Sequence, residues 1–341
     1  RTAAEGPVSE TPHERGVPYS VYLTPQGQVE FNLKPPRLVE AVREEGGQLW
    51  VDIDANDRAQ HALLEKVFGF HHLAIEDTFS PKTRVKLEEY PGYLFLVIRA
   101  ARLDQRTEDP YDLETFNVYC FLGQNYFVTV HSGKPRAVEA VQDRIARSPD
   151  LLQRGVEMLA HGVIDMTVDE FLPMVDQVDD MVDRLEQRLF ERYDERAIED
   201  IFAVKRMVVQ LRRNLGPLRE VLNVLTNRPH ACIAPASQIY FRDVYDHTIR
   251  IVESLESVRD LVTTVLDTYL TQASNRMNKV MKQLSIVATI SLPLVVIGGV
   301  FGMNFAHIPL TNHPFGFFWA IGIMAGFALT LWWFLKRQNW L

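Results

Sequence analysis

The chain has 341 residues and a formal net charge of −8; 23% of its residues are charged and 47% are hydrophobic. An acidic chain is a poor match for nucleic acid, because phosphate contact needs clustered Lys and Arg in excess. The average composition conceals an uneven distribution, since no Asp, Glu, Lys or Arg occurs from Gln283 to Leu335. Cys120 and Cys232 lie far apart without metal-ligand spacing, and we interpret both as packed thiols.

Residues 1–18 begin with "RTAAEGPVSETPHERG", which has no apolar core of the kind that a secretory signal needs, and we expect a flexible end. Residues 19–150 alternate strand-like and helix-like patterns. The strand-like segments are rich in β-branched and aromatic residues: "YSVYLT", "LWVDIDA", "GYLFLVIRAARL", "ETFNVYCFL" and "NYFVTVHS". Between them, "DRAQHALLEKVFGF" has apolar residues at helical spacing and Asp57 as a candidate N-cap. These patterns predict an α/β domain.

Strand patterns disappear from Lys134 onward, and residues 151–235 are predicted to form an acidic helical hairpin. Apolar residues recur there at three- and four-residue steps, which places them on one helix face: Phe171, Met174, Val175, Val178, Met181, Val182, Leu185 and Leu189. The opposite face is acidic at first and basic later, as two antiparallel helices with paired charges require. Gly216 and Pro217 predict a kink or a break in the second helix.

A helical pattern resumes near Gln238 and meets no Pro or Gly before Pro293 and Gly298. Its first part, residues 236–282, is predicted to be a stalk helix. The whole helix should continue to Met303, which makes it about 66 residues and roughly 100 Å long at the standard rise.

Two charge-free runs follow the stalk, Gln283–Met303 and Phe315–Leu335. Each has about 21 residues and therefore spans about 30 Å, the thickness of a bilayer's hydrocarbon layer. We predict two transmembrane helices, a periplasmic loop at 304–314 and a basic tail at 336–341; a pair of buried core helices is the alternative. Lys and Arg flank the two runs but are absent from the loop, so both termini are expected in the cytoplasm.

A polar stripe runs along the stalk toward the first span. Its members recur at alternating four- and three-residue steps, which keeps them on one face of a bundle helix: Asp267, Thr271, Ser274, Asn278 and Met281. Nearly the same face continues with apolar residues: Leu284, Ala288, Leu292 and Val295. Side-chain oxygens suit a hydrated cation, and an apolar constriction after them can gate by dewetting.

Packing between bundle helices explains the same periodicity equally well. Gly298, Gly299 and Gly302 could likewise serve close helix approach alone. Two helices cannot enclose a water-filled path, so ion transport would require several copies of the chain around an axis.

The tripeptide Gly302-Met303-Asn304 follows the first span directly and precedes a short loop, a second span and a basic tail. This arrangement resembles the CorA family of magnesium transporters. The resemblance extends to other segments and covers roughly residues 50–341: "HHLAIEDTFSPKTRVKLEEYPGYLFLVI", "YFRDVYDHTIRIVESLESVRDLVTTVLDTYLTQASNRMNKVMKQLSIVATISLPL" and "KRQNWL".

The resemblance implies a homopentameric, funnel-shaped channel in the cell inner membrane. Each subunit would have an α/β cytoplasmic domain, a long stalk helix and two C-terminal transmembrane helices, the first of which lines the pore. Gly302, Met303 and Asn304 would form a selectivity filter, with a ring of Asn304 carboxamides binding Mg²⁺ through the water shell that this ion surrenders reluctantly. Other residues inherit pore and gate positions: Asp267, Asn278, Met281, Leu284 and Leu292.

The resemblance also implies a regulatory Mg²⁺ between neighbouring cytoplasmic domains, held by Asp77 and Asp243 with help from Glu76. Uncompensated carboxylates facing across a subunit boundary repel one another when Mg²⁺ is scarce, and a bridging cation would favour the closed state. Without the resemblance, Asp77 is equally interpreted as a helix cap or an exposed acid, and Asp243 as a partner of Arg242.

The loop departs from the family pattern, because His307 and His313 stand where many relatives carry an acidic residue. We interpret both histidines as polar loop residues; a preference for a transition metal or a pH sensor is the alternative. The expected function is a gated channel for Mg²⁺ influx, with Co²⁺ and Ni²⁺ as further substrates and no nucleotide-binding motif for pumping. A zinc or other divalent-cation transporter of the same superfamily and a membrane-anchored cation sensor are the alternatives. No enzymatic activity is expected, since no nucleophile and base accompany the acidic residues Asp165, Asp169 and Glu170.

Overall fold

The structure is a computed structural model that describes residues 16–80, 83–103, 113–191, 194–304, 308, 313–338 and 340. Residues 1–15 of the predicted flexible end lie outside the described residues, as does most of the predicted loop at 304–314, including His307. The chain divides into two compact units. Unit 1 comprises the residues up to Gln187 together with Arg196–Val265, and unit 2 comprises Arg188–Glu195 and Leu266–Leu341.

Unit 1 contains a seven-stranded sheet with the order β2-β1-β3-β7-β6-β5-β4. The strands are β1 (Tyr19–Leu23), β2 (Val29–Phe31), β3 (Gln48–Asp54), β4 (Lys86–Tyr90), β5 (Tyr93–Leu103), β6 (Leu113–Leu122) and β7 (Tyr126–His131). β3 and β7 pair in parallel, and the other neighbours are antiparallel. The predicted α/β class and strand segments are confirmed, whereas β2 and the charged edge strand β4 were not predicted.

Short helices surround this sheet: α1 (Pro35–Arg43), α2 (Arg58–His61), α3 (Leu63–Lys66), α4 (His72–Phe79), α5 (Arg136–Arg147) and α6 (Val156–Asp169). Asp57 caps α2 as predicted, because its carboxylate accepts hydrogen bonds from the N–H groups of Ala59 and Gln60. The helical spacing over "DRAQHALLEKVFGF" is confirmed in part, since the segment forms two short helices that meet at Ala62, and α3 ends at Lys66. A positive φ of 65° at Gly69 turns the chain, and Phe70 then stacks on Phe121 with ring centroids 4.1 Å apart.

The sheet is buried on both faces, which fits its continuous apolar strands. On β3, Leu49, Val51 and Ile53 pack in one core with residues of α1, α3 and α4. Trp50 between them points to the other face, where it stacks on Phe127 and donates a hydrogen bond to Thr129.

Two longer helices follow, α7 (Phe171–Glu191) and α8 (Ala197–Asn227). Every apolar residue that the periodicity placed on the inner face of α7 is buried, which confirms that prediction. The predicted break in α8 is wrong, because the helix continues through Gly216 and Pro217. Buried leucines on both sides of that step hold the helix by packing: Leu211, Leu215, Leu218 and Leu222.

The last two helices are α9 (Gln238–Phe301), which has 64 residues, and α10 (Gly316–Arg337). Helix α9 includes Pro293 and ends at Phe301, two residues before the predicted Met303. Both helices are long and apolar enough to cross a membrane, and their apolar windows are almost entirely unburied. The alternative of two buried core helices therefore fails for the single chain.

Candidate functional site

The stripe predicted from periodicity lies on one continuous helix, α9, and all its members are exposed in the single chain. This includes large apolar side chains such as Leu284 and Val295, each 69% exposed. Exposed apolar surface of this extent marks contact with lipid or with another protein chain. The stripe is therefore a surface that the chain itself leaves uncovered.

The opposite face of α9 is partly covered by other residues of unit 2. Half-buried positions in the apolar part recur at three- and four-residue steps: Ile286, Ile290, Pro293, Leu294, Ile297 and Phe301. At about 100° per residue these positions lie roughly on the far side of the helix from Leu284 and Leu292. Helix α10 has a comparable face: Gly316, Ala320, Met324, Ala328, Leu331 and Leu335. The stripe thus lies within the exposed part of α9, away from its half-buried face.

In the polar part of the stripe, the Thr271 hydroxyl donates a hydrogen bond to the Asp267 carbonyl at 2.9 Å. Thr271 and Asp267 are both exposed. Gln272, the residue after Thr271, donates a hydrogen bond from Nε2 to the Leu189 carbonyl at 2.7 Å, and Arg276 lies 3.8 Å from Glu195. These contacts join α9 to the last turn of α7 and to the segment after it, all within unit 2, and they do not involve the stripe.

The helix ends at the predicted filter tripeptide. The Gly302 N–H donates to the carbonyls of Gly298 and Gly299, and the Met303 N–H donates to Val300. A Cβ at Gly302 would lie 3.3 Å from the Gly298 carbonyl, so a larger residue would crowd this turn. Asn304 is exposed, which leaves its carboxamide available to solvent at the end of the helix.

Of the two loop histidines, only His313 is described. Its Nδ1 accepts a hydrogen bond from the Phe315 N–H at 3.2 Å, and its carbonyl accepts one from Gly316 at 2.8 Å. His313 therefore helps to form the turn into α10, which supports its interpretation as a structural loop residue.

The predicted cytoplasmic site has one feature that the sequence analysis missed. Asp77, in the last turn of α4, is partly exposed, and its Oδ2 lies 2.7 Å from Lys86 Nζ on β4. Lys86 also lies 2.7 Å from Glu88 Oε1. Partial burial acts to lower the pKa of Lys86, but the bonds to Asp77 and Glu88 outweigh it and raise this pKa. The expectation of an uncompensated carboxylate at Asp77 is therefore wrong within one chain.

Glu76 and Asp243 are exposed, on α4 and α9 respectively. The described part of the chain brings together no group of three or more His, Cys, Asp or Glu side chains suited to a metal ion, so Asp77, Glu76 and Asp243 form no such group within one chain. Asp243 lies near an acidic pair on α6. Burial raises the pKa of Asp165, His161 opposes the shift, and Asp169 and Asp243 add to it.

Glu170, the C-cap residue of α6, is a partly buried carboxyl group of this region. One of its oxygens accepts a hydrogen bond from the Ala137 N–H, while Oε1 is buried without a hydrogen-bond partner among the described residues. Burial raises its pKa to about 7.

Two comparisons with known proteins bear on this arrangement. The family model described as "CorA-like Mg2+ transporter protein" matches residues 45–337. The cobalt/magnesium transport protein CorA of Thermotoga maritima is 31% identical over 316 residues, which cover 92% of this chain and 89% of that protein. The divalent cation transporter CmaX of Pseudomonas aeruginosa is 25% identical over 342 residues, or 97% of this chain and 99% of the relative.

The fold is also similar to solved structures. The complete structure of the CorA magnesium transporter from Methanocaldococcus jannaschii matches with a TM-score of 0.81 at 20% identity, over 94% of this chain and 98% of that one. This likeness supports the arrangement of an α/β domain, a long helix and two C-terminal apolar helices as a shared fold.

Proposed function

Because the chain belongs to the CorA-like Mg²⁺ transporter family, we propose that it is a gated channel for Mg²⁺ influx down the electrochemical gradient. Co²⁺ and Ni²⁺ are further proposed substrates, which fits the cobalt/magnesium transport named for the Thermotoga relative. The proposed assembly is a homopentamer in the cell inner membrane, with both termini in the cytoplasm. The Lys and Arg residues that flank the two apolar runs support this orientation.

The uncovered stripe on α9 carries the proposal. A single α9 cannot enclose water, but several copies around an axis would turn their stripes toward it. The face opposite the stripe is partly buried, whereas the stripe is exposed and is free for such a contact. A simple membrane anchor has no need for Asp267, Thr271 and Asn278 on the face that enters the first span.

The chemistry of the stripe suits a hydrated divalent cation. Asp267 supplies charge, while Thr271, Ser274 and Asn278 supply neutral oxygens that accept hydrogen bonds from water. Mg²⁺ keeps its water shell, so outer-sphere contacts suit it. At the outer end, a ring of Asn304 carboxamides would bind the hydrated ion without the tight binding of carboxylates, with Gly302 and Met303 shaping the turn.

The apolar part of the stripe is the proposed gate. Leu284, Ala288, Leu292 and Val295 would form a narrow apolar collar between the polar section and the Asn304 ring. Such a collar excludes water when it is narrow and conducts when it widens.

Regulation would use Mg²⁺ on the cytoplasmic side. The carboxylates of Asp77, Glu76 and Asp243 are the oxygen donors that Mg²⁺ prefers, and all three are at least partly exposed, so they fit an ion held at a boundary with a second chain. When bound there, the ion would supply positive charge that bridges carboxylates of two subunits and favours closure.

Uptake by liposomes containing the purified protein tests the proposal. A panel of Mg²⁺, Co²⁺, Ni²⁺ and Zn²⁺ should show Mg²⁺ entry that cobalt hexaammine, a mimic of the hydrated ion, blocks. Asn304→Ala should abolish this entry. Gln338→Ala removes an exposed carboxamide after α10 and is the matched control, with uptake like that of the wild type.

Undiminished Mg²⁺ uptake by Asn304→Ala would contradict the filter assignment. Uptake of Zn²⁺ without Mg²⁺ would instead favour a zinc transporter, and no uptake of any ion would favour a membrane-anchored sensor.

A further inference from the structure

Lys86 occupies a position that neither the stripe nor the family resemblance explains. It is the first residue of the edge strand β4, and its ammonium nitrogen lies between two carboxylates at equal distances, 2.7 Å from Asp77 Oδ2 and 2.7 Å from Glu88 Oε1. All three side chains are partly exposed. An ion arriving from solvent can therefore reach the same carboxylate that Lys86 holds.

We propose that Lys86 is a built-in competitor of the regulatory cation at Asp77, and that it sets the Mg²⁺ concentration at which the cytoplasmic site fills. This inference rests on the sensor assignment in the proposed function. An ammonium at 2.7 Å from Asp77 Oδ2 occupies the position where a hydrated cation would bind that oxygen. The two cations also repel each other at such a distance, so binding of Mg²⁺ requires Lys86 to withdraw.

Glu88 makes this exchange feasible. When Mg²⁺ takes Asp77, Lys86 keeps its bond to Glu88 and is not left as an isolated charge. The Glu88 carboxylate is itself held in place, because the Tyr90 hydroxyl donates a hydrogen bond to Oε2 at 3.1 Å. The Lys86 ammonium also lies 5.6 Å from the Phe95 ring centroid, a cation–π contact that does not depend on Asp77.

The proposal and a merely structural ion pair make opposite predictions. If Lys86 only stabilises the contact between β4 and α4, its removal destabilises unit 1, and the site needs the same or a higher Mg²⁺ concentration to fill. If Lys86 competes, its removal leaves Asp77 free, and the site fills at a lower concentration. Exposed ion pairs contribute modestly, so we expect a shift of about two- to fivefold.

Filling of the cytoplasmic site is measured without a flux assay, as protection of the full-length protein in detergent from limited proteolysis at increasing Mg²⁺ concentration. Chymotrypsin is used because Lys substitutions would remove trypsin sites. Lys86→Met should lower the Mg²⁺ concentration that gives half-maximal protection by about two- to fivefold. Lys86→Gln serves as a second variant if the first folds poorly. Lys86→Arg, which keeps the charge, and Lys66→Met, which removes an exposed charge on α3, should both match the wild type.

Asp77→Asn separates failure of this inference from failure of the sensor assignment. It should raise the half-protecting concentration, and Lys86→Met should have no further effect in that background. If the dependence of protection on Mg²⁺ concentration were unchanged in Asp77→Asn, the sensor assignment and this inference would both be overturned. A shift for Asp77→Asn without a downward shift for Lys86→Met and Lys86→Gln would overturn the inference alone.

Discussion

Unit 1 and unit 2 are both rich in apolar residues, but they bury them differently. In unit 1 the large side chains Trp50, Phe95, Phe121 and Phe127 are fully buried within one chain. In unit 2 the apolar windows of α9 and α10 are almost entirely unburied. Unit 1 therefore has a core of its own, whereas the apolar surface of unit 2 is of the kind that contacts lipid or another protein chain.

Polar groups show the same difference. In unit 1 the buried Asp52 carboxylate is satisfied within the chain, since Thr129 and Gln142 donate hydrogen bonds to it and His131 Nε2 lies 3.0 Å away. In unit 2 the polar side chains of the stripe point outward. Asp52 thus has its hydrogen-bond partners within the chain, whereas the polar residues of the stripe are exposed in the single chain.

The largest expected effect comes from removing part of the core of unit 1. Phe121→Ala should lower the free energy of unfolding by about 3–5 kcal/mol, because it leaves a cavity beside Phe70 and Phe95. Phe317→Ala, at a position on α10 that is 72% exposed, should change it by less than about 0.5 kcal/mol in detergent. Thermal unfolding of the full chain followed by circular dichroism measures both. Comparable losses of unfolding free energy in the two variants would mean that unit 2 has a core of its own.

A smaller effect is expected at Glu170, whose buried Oε1 has no hydrogen-bond partner in the part of unit 1 that the structure describes. Burial raises the pKa of Glu170 to about 7, so the folded chain binds this proton more tightly than the unfolded chain. Ionisation then costs the folded state stability as the pH rises from about 4.5 through 7, and none of this cost is present below that range. Glu170→Gln should therefore stabilise the protein at pH 8 by about 1–2 kcal/mol, after allowance for partial exposure.

The measurement is the unfolding temperature of the detergent-purified protein between pH 4.5 and pH 8. Glu139 is an exposed carboxylate that lines one pocket together with Glu170, so Glu139→Gln is the control and should follow the wild type. If Glu170→Gln raised the unfolding temperature equally at all pH values, the titration of Glu170 would not explain the effect.

Local patterns predicted much of unit 1 from the sequence. The inner face of α7, the central strands and the Asp57 cap follow from spacing and side-chain chemistry within a few residues. The strand β4 was missed because "KLEEY" is an edge strand with one neighbour, so charged residues are tolerated where strand patterns expect apolar ones. The unbroken helix α8 was missed because packing of Leu215 and Leu218 outweighs the local cost of Gly216 and Pro217.

Two parts of the candidate site, the stripe on α9 and the cytoplasmic residues around Asp77, could be predicted from the sequence to different extents. The stripe follows from helical periodicity alone, because each of its members is three or four residues from the next along one helix. The Lys86–Asp77 pair depends on how a strand packs beside a helix, which no local spacing encodes. The assembly of several copies lies beyond a single chain, so the roles of Asn304 and Asp243 stay predictions.

The central claim is that the stripe on α9 lines a water-filled ion path. Ala288→Cys places a thiol on the stripe, and Val287→Cys places one on the next residue, about 100° around the helix. The native thiols Cys120 and Cys232 are buried, which limits their reaction. A water-soluble cationic thiosulfonate should block Mg²⁺ uptake by liposomes carrying Ala288→Cys and leave Val287→Cys unaffected. Equal block of both variants, or block of Val287→Cys alone, would contradict the claim.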